Sequence, residues 1–420
     1  MLGRSPHAPP RAMVAIVALL AGAGLLGLPA QAGTMDLMTP RDQQPHHVRE
    51  SLRQADELEA AGDQAAADGL RRLAATPQAQ WVVSGTPREV RQQVRRSTRL
   101  AAKEGQVPVL VAYNLPFRDC SQYSSGGTDG VTEYKAWIDA FAAGIQDREA
   151  VVVLEPDALG LIPWYTGADG STDSCRPEGA DPATAAADRL EMLNHAVDAL
   201  KAGPRTRVYL DGTHSGWLAV GEAADRLVRA GVQRADGFAL NVSNYETTER
   251  QLKYGTWVSK CIHYGTALDP GNFTGCGSQY YPANQDDFST WERTDAWYAE
   301  HVDGAPSGPA GPEDLAHFVV DTSRNGQGPW IPEDTGQDLQ PWCNPPSRGL
   351  GRLPSTDTGH ELADAFWWIK IPGESDGACR SHLGPDGSDP VWGVVHPPAG
   401  AWFPQQALDL IEHANPAFPG

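Results

Sequence analysis

The sequence predicts an α/β protein built on one parallel sheet with helices packed outside it. Three observations carry this. From about residue 80 onward, short apolar runs alternate with longer amphipathic stretches. Seven such runs follow one another with no break in composition and no internal repeat, which points to a single barrel-like domain. Hydrophobic residues make up 40% and charged ones 20%, the balance of a chain that buries a core.

Taken in order, residues 42–75 are rich in Ala, Glu, Gln and Arg and read as a helical lead-in. The strands are expected at 80–83, 107–113, 150–154, 207–210, 237–242, 317–320 and 365–369. Helices are expected between them at 87–103, 131–146, 184–202 and 218–230. The 44 Gly and 34 Pro imply long loops. The stretch 304–312 (GAPSGPAGP) reads as a linker, too short to separate domains.

The N-terminus reads as a signal peptide over 1–32. Arg4 and Arg11 precede an uncharged apolar stretch at 13–28, and Ala30-Gln31-Ala32 has the small-residue pattern of a cleavage site. The stretch is short for a membrane span. Secretion, with 33–420 as one catalytic domain, is therefore the expectation. The net charge of −20 argues against tracking nucleic-acid phosphates or an anionic membrane, and suits a neutral ligand. Six cysteines in an exported chain suggest disulfides, with the connectivity left open. No Cys-x-x-Cys is present, and no metal or cofactor is expected.

Polar residues recur where the strands end: Asp119, Glu155, Asp157, Asp211, Asn241, Asn244, Asp321, Lys370, Glu374 and Asp376. A single Asp there reads equally well as a helix N-cap. Recurrence at nearly every strand describes an acidic cleft at the carboxyl ends. Glycoside hydrolysis needs one protonated and one ionised carboxyl, and crowded acids keep a proton on the donor. No G-x-S-x-G, H-E-x-x-H or P-loop competes with that reading. The thirteen Trp belong either to core or to flat sugar platforms.

The motifs then carry a resemblance. They are Tyr113-Asn-Leu-Pro-Phe-Arg-Asp-Cys120 with Ser125-Gly126, Val151-Val-Val-Leu-Glu-Pro-Asp157 and Val208-Tyr-Leu-Asp-Gly-Thr-His-Ser-Gly-Trp217. Gly237-Phe-Ala-Leu-Asn-Val-Ser-Asn-Tyr245, Asp321-Thr-Ser-Arg-Asn-Gly326, Trp342-Cys-Asn-Pro345 and Trp368-Ile-Lys-Ile-Pro-Gly-Glu-Ser-Asp376 follow. Seven segments in this order resemble glycoside hydrolase family 6, the inverting cellobiohydrolases and endoglucanases.

The resemblance implies a distorted parallel barrel of seven strands with long loops enclosing a substrate tunnel. It implies that Asp157 is the general acid and that Asp119 holds the proton on it. Asp119 also stands as the acceptor of a proton relayed through water near Ser125, with Asp376 the other candidate base. Tyr113 would distort the ring at the cleavage point. Trp81, Trp217 and Trp342 match sugar platforms, and His214, Asn244, Lys370 and Glu374 match hydroxyl-binding positions. Asp211 is either a substrate contact or a structural partner. Arg324 joins the substrate-binding set, or else pairs with Asp376. Trp137 and Trp367 are read as core. Two departures from the family stand out: Thr213 and Ser215 flank His214, and Val220 replaces a further platform Trp.

The resemblance also pairs Cys120 with Cys175 and Cys343 with Cys379. That leaves Cys261 and Cys276, whose short loop would stabilise by about 3 kcal/mol in the chain-entropy model. The segment 245–320 is long and aromatic and resembles the bacterial exo-acting members, and the stretch 325–365 is also long and rich in Gly and Pro. As a roof over the cleft it predicts a cellobiohydrolase acting from non-reducing ends of cellulose. The alternatives are an endo-β-1,4-glucanase and a glucan-binding protein without turnover. Cellulose and cello-oligosaccharides are the expected partners of a monomer, with neither nucleic acid nor membrane. No binding module or Pro/Thr/Ser linker is legible in the chain.

Overall fold

Seven strands run in chain order across one sheet, and every neighbouring pair is parallel. The computed structural model describes residues 1–3, 35–39, 45–332, 340–379 and 387–418. The expected leader therefore lies outside the described residues, apart from its first three. The strands are β1 (Gln80–Val82), β2 (Val109–Ala112), β3 (Ala150–Leu154), β4 (Thr206–Asp211), β5 (Gly237–Leu240), β6 (His317–Asp321) and β7 (Ala363–Trp367). All seven fall where expected, though β7 begins two residues earlier than its apolar run suggested.

The sheet curls until its edges nearly meet. Across the seam the Ala79 N–H donates to the Trp368 carbonyl at 2.9 Å. The Trp81 indole N–H donates to the Ile369 carbonyl at 2.8 Å. Alternate residues point to opposite faces of each strand. Val109, Val111, Val151, Val153, Tyr209, Ala239, Val319 and Ala365 fill the inside of the curl. Leu110, Val152, Leu154, Val208, Leu210, Phe238 and Val320 face the helices. Both faces are buried, so the strands read as unbroken apolar runs.

The lead-in is two helices, α1 (His46–Ala60) and α2 (Gln64–Ala75). The Asp63 side chain caps the second by accepting from the Ala66 N–H. Then come α3 (Pro87–Glu104), α4 (Val131–Ile145), α5 (Ala185–Lys201) and α6 (Val220–Arg229), close to expectation. The α3 signals are strong. Thr86 and Glu89 form a capping box, Pro87 opens the helix and Gly105 closes it at φ +71.

Three helices have no counterpart in the sequence reading: α7 (Thr248–His263), α8 (Glu292–Tyr298) and α9 (Pro404–Glu412). In α7, Gln251, Tyr254, Val258, Cys261 and Ile262 are buried at helical spacing. That stripe was taken for aromatic loop cover. It is instead the inner face of a helix against the sheet. All three disulfides are formed: Cys120–Cys175, Cys261–Cys276 and Cys343–Cys379.

Candidate active site

Parallel strands aim their carboxyl ends at one rim, and a cavity of about 1070 Å³ lies there. Asp157, Asp119 and Asp376 line it together with Tyr113, Ser125, His214, Asn244, Lys370 and Glu374. Trp81, Trp217 and Trp342 line it too. Trp81 stands at β1, on the same side as Lys370 and Glu374 beyond β7. Trp217 follows β4, across the sheet.

Asp157 sits just past β3, with Glu155 and Asp157 both in left-handed backbone, at φ +52 and +62. Non-glycine residues rarely hold that conformation, and here it turns the Asp157 side chain into the cleft. Buried bonds hold the turn. The Glu155 carboxylate accepts the N–H groups of Asn114 and Leu115. The Asp157 N–H donates to Asp211 at 3.0 Å. Burial pushes the Asp157 carboxyl far above the ordinary carboxylate range. The charges of Asp211, Asp119 and Asp376 add to this, and Lys370 opposes it. These surroundings favour the protonated form of the acid.

Asp119 lies on the loop after β2, at φ +52. Its Oδ2 accepts the Ser124 N–H at 2.7 Å. Burial raises it to about 6, against the Ser124 N–H and the Arg118 charge. The Arg118 guanidinium staples this loop to the sheet. It donates to the carbonyls of Val83, Tyr113, Ser124 and Ser125. It also stands 4.8 Å above the Tyr113 ring. Trp81 meets the same ring edge-on, with centroids 5.4 Å apart.

Asp376 lives in opposite surroundings. Arg324 Nη1 donates to both its oxygens, at 2.9 and 3.0 Å. The Asn344 N–H and the Tyr245 hydroxyl donate to its Oδ2. Lys370 Nζ lies 3.7 Å from Oδ1. Burial would raise its pKa, but Arg324 and Lys370 hold it below the usual carboxylate range.

Two residues expected to touch substrate do not line the cavity. Asp211 is buried beneath the Asp157 turn and accepts the N–H groups of Asp157 and Thr213. Burial raises it to about 7. Of the two roles left open for it, these bonds are those of a structural partner. Arg324 is fully buried and tied to Asp376 and the Ser243 carbonyl. Both side chains are held under the cleft floor by these bonds.

The long segment 245–320 does not roof the cleft. Of its residues only Tyr245 and Glu246 line the cavity. Tyr254, Trp257, Trp291 and Tyr298 are spent on the core outside the sheet. What crosses the cleft is shorter. The Tyr123 hydroxyl donates to Gln340 Oε1 at 2.7 Å, and the Tyr123 and Trp342 rings lie 5.8 Å apart. Gly377, at φ +146, makes room for this, since a Cβ there would stand 2.5 Å from Tyr123.

His214 is neutral, because burial lowers it to about 4. Its Nδ1 accepts the Gly216 N–H, which puts the proton on Nε2. Trp217 lies against Gly160, where a Cβ would come within 2.4 Å of the indole.

Arg118, Tyr245, Asn344 and His47 were missed from sequence. Arg118 and Asn344 sit inside quoted motifs, so adjacency to Asp119 and Cys343 was an available signal. His47 comes from α1, and its Nδ1 lies 3.6 Å from Glu374. Nothing local marks it. Among the described residues no group of His, Cys, Asp and Glu is set to hold a metal, and no helix is long and apolar enough to cross a membrane.

A curled parallel sheet with a protonated acid, an ionised one and tryptophans along one cleft defines a glycosidase-type site. The comparisons agree. The family model of glycosyl hydrolases family 6 matches residues 42–414, and the chain belongs to that family. It is 34% identical over 350 residues to endoglucanase A of Thermobispora bispora, covering 82% of this chain and 57% of that protein. It is 33% identical to a probable 1,4-beta-D-glucan cellobiohydrolase C of Aspergillus fumigatus, covering 74% of this chain and 62% of that one. The chain thus spans less than two thirds of the length of these relatives. Among solved structures, the endoglucanase Cel6 from Mycobacterium tuberculosis, in complex with methyl-cellobiosyl-4-deoxy-4-thio-beta-D-cellobioside, matches at TM-score 0.63 and 32% identity. That match covers 91% of this chain and 98% of that one.

Proposed function

We propose that this chain is an exported cellulase that hydrolyses β-1,4-glucosidic bonds with inversion, and that it cuts within chains. The observation that carries hydrolysis is the desolvated, acid-crowded Asp157, poised over a cleft flanked by Trp platforms. In this reading Asp157 donates its proton to the glycosidic oxygen as the bond breaks. A water attacks the anomeric carbon from the opposite face and loses its proton towards Asp119, through a second water near Ser125. Asp119 suits the acceptor role better than Asp376. Arg324, Asn344 and Tyr245 already occupy the lone pairs of Asp376. Tyr113 presses on the ring at the cleavage point, while His214, Asn244, Lys370 and Glu374 take hydroxyls.

Internal cutting is supported by the cavity lining, which lacks the aromatic segment expected to form the roof. The exo reading keeps two observations in its favour: the Tyr123–Gln340 contact, and the lining contributed by Pro329, Trp330, Pro341 and Trp342 from the other long loop. Anomer-resolved NMR of the products tests inversion, with the α-anomer expected first. The split of new reducing ends between solid and liquid tests the mode: internal cutting leaves a large share on the insoluble cellulose. Almost all ends in solution, as cellobiose, would reverse the mode and leave the chemistry intact. Asp157→Ala should abolish hydrolysis of unactivated glucans yet retain cello-oligosaccharide binding. Surviving activity would remove Asp157 from its role.

A further inference from the structure

The segment that fails to roof the cleft puts one acid into it. Glu246 follows β5, lines the cavity and is only 6% exposed. Hydrolysis as read above gives it no task. Its backbone is pinned on both sides by buried amides. The Glu246 N–H donates to Asn241 Oδ1 at 3.1 Å, and its carbonyl accepts Asn241 Nδ2 at 3.1 Å and Asn325 Nδ2 at 3.0 Å. The carboxyl is served less fully. Its Oε2 is buried and accepts no hydrogen bond, and the Arg250 guanidinium stands 3.6 Å from it. Buried carboxyl oxygens ordinarily collect donors.

That carboxyl lies against the turn holding His214. A Cβ on Gly216 would stand 2.5 Å from Glu246 Oε1 and 3.2 Å from His214 Nδ1. Only a glycine there lets the acid and the imidazole share one corner. Ser215, one of the two departures from the family pattern, serves the same acid. Burial raises Glu246, and Arg250 and the Ser215 hydroxyl oppose that shift. The Ser215 Oγ accepts from Gln251 Nε2 at 2.8 Å, so its own proton is available to Glu246. Strand order says which sugar unit this corner meets. Strands β2 to β5 are consecutive in the sheet. In the reading above, Tyr113 after β2 underlies the ring being cleaved, and Asp157 after β3 meets the glycosidic oxygen. The leaving unit then lies over the turns after β4 and β5, with His214 on one and Glu246 on the other.

We propose that Glu246 is a further substrate-binding residue, whose carboxyl accepts one hydroxyl of the leaving glucosyl unit while His214 Nε2–H donates to the hydroxyl beside it. The inference rests on the hydrolase reading above for its ligand. An acceptor and a donor set side by side fit the vicinal hydroxyls of a β-glucosyl ring, each of which can both give and take a hydrogen bond. The sugar hydroxyl supplies the donor that the buried carboxyl lacks. A half-turn about the last side-chain bond offers either oxygen to the cleft. The pinned backbone means that little freedom is lost on binding. Ser215 then has a task at the site, which its place beside His214 did not by itself suggest.

The test compares two substrates in the full-length protein. Cellohexaose places a glucosyl unit on the leaving side, whereas dinitrophenyl β-cellobioside places an aryl group there with no sugar hydroxyls. For Glu246→Ala, the ratio of kcat/KM on cellohexaose to that on the aryl glycoside should fall about tenfold, the equivalent of about 1.4 kcal/mol. An unchanged ratio overturns the proposal. So does an equal loss on both substrates, which would show that Glu246 merely props the His214 turn. Calorimetric titration of cellohexaose into Asp157→Asn reads the contact without turnover. Adding Glu246→Ala should weaken binding about tenfold, and Glu246→Gln, which keeps an acceptor oxygen, should recover part of that loss. A Gln variant as weak as the Ala variant overturns the acceptor role. If wild-type protein hydrolyses neither substrate, the hydrolase reading fails. The titration then still decides the Glu246 contact.

Discussion

Asp157 and Asp376 are the same side chain in the same cleft, and their surroundings drive them to opposite states. Around Asp157, beyond β3, the neighbours are Asp119 and Asp211, and only Lys370 opposes them. Around Asp376, beyond β7, Arg324 makes a fork contact and two further donors converge. Burial penalises both charges, and the partners decide which one survives. A hydrolytic site needs one carboxyl with a proton and one without. Here the split is built from cations placed under one side of the rim and withheld from the other.

The comparison breaks most severely if the cation is removed. Arg324→Ala leaves Asp376 buried without its main partner and should cost about 3–5 kcal/mol of stability by urea unfolding. Adding Asp376→Asn should recover part of that, because a neutral amide needs no counter-charge. Equal stability of the single and double variants would show that Asp376 was not the reason for the loss.

Asp119→Asn acts on the other corner. It should lower kcat on the order of 10²-fold by removing the proposed proton acceptor. The pH profile is the sharper readout. With Asp119 near 6, the wild-type rate should fall as pH drops through about 6 and that group gains a proton. The charge of Asp119 raises Asp157, so its removal should also move the alkaline limb to lower pH. An alkaline limb that stays in place would separate the two acids electrostatically.

Stability should follow pH in the direction the acid-rich corner dictates. Burial raises Glu155, Asp211 and Glu374 to about 7 and Asp119 to about 6, all above their unfolded values. Between those values and the ordinary carboxylate range near 4, the folded state binds more protons than the unfolded chain. Stability is then greatest at the acid end of that window and is lost as pH rises through 6 to 7. Asp376 works the other way, gaining stability above its unfolded value. A Tm that rises steadily from pH 5 to 7.5 would mean that Glu155, Asp211, Glu374 and Asp119 are not raised in the fold, since Asp376 is ionised in both states across that range.

The smallest effect concerns the turn between the corners. Thr213 holds φ +63, an uncommon conformation for a β-branched residue. Thr213→Gly should relieve that strain and offset some of it with chain entropy, a net gain of about 1 kcal/mol by thermal unfolding. A loss instead would show that the Thr213 side chain packs more usefully than its backbone suffers.

Much of this was legible locally. Each strand is an apolar run buried on both faces, and each acid follows its strand within a few residues, so β1 to β7 and Asp119, Asp157 and Asp376 could be placed from sequence. Trp137 and Trp367, read as core, are buried as expected. Helix α7 was obscured because its inner stripe is aromatic and polar, and the same residues suit a loop over sugar. Asp211, at a strand end, and Arg324, placed by the family resemblance, were left between substrate contact and structural partner because nothing local separates the two. Whether a side chain there points up or under depends on which backbone donors lie beneath it.

By itself the sequence determined the strand positions, the acidic rim and the residues available to it, since these depend on neighbours a few positions apart. Only the tertiary structure decided which acid keeps its proton. That outcome rests on Arg324 reaching Asp376 across 52 residues and Asp211 reaching Asp157 across 54. Charge in a buried site is set by the nearest partners in space, and no local pattern in the chain encodes those.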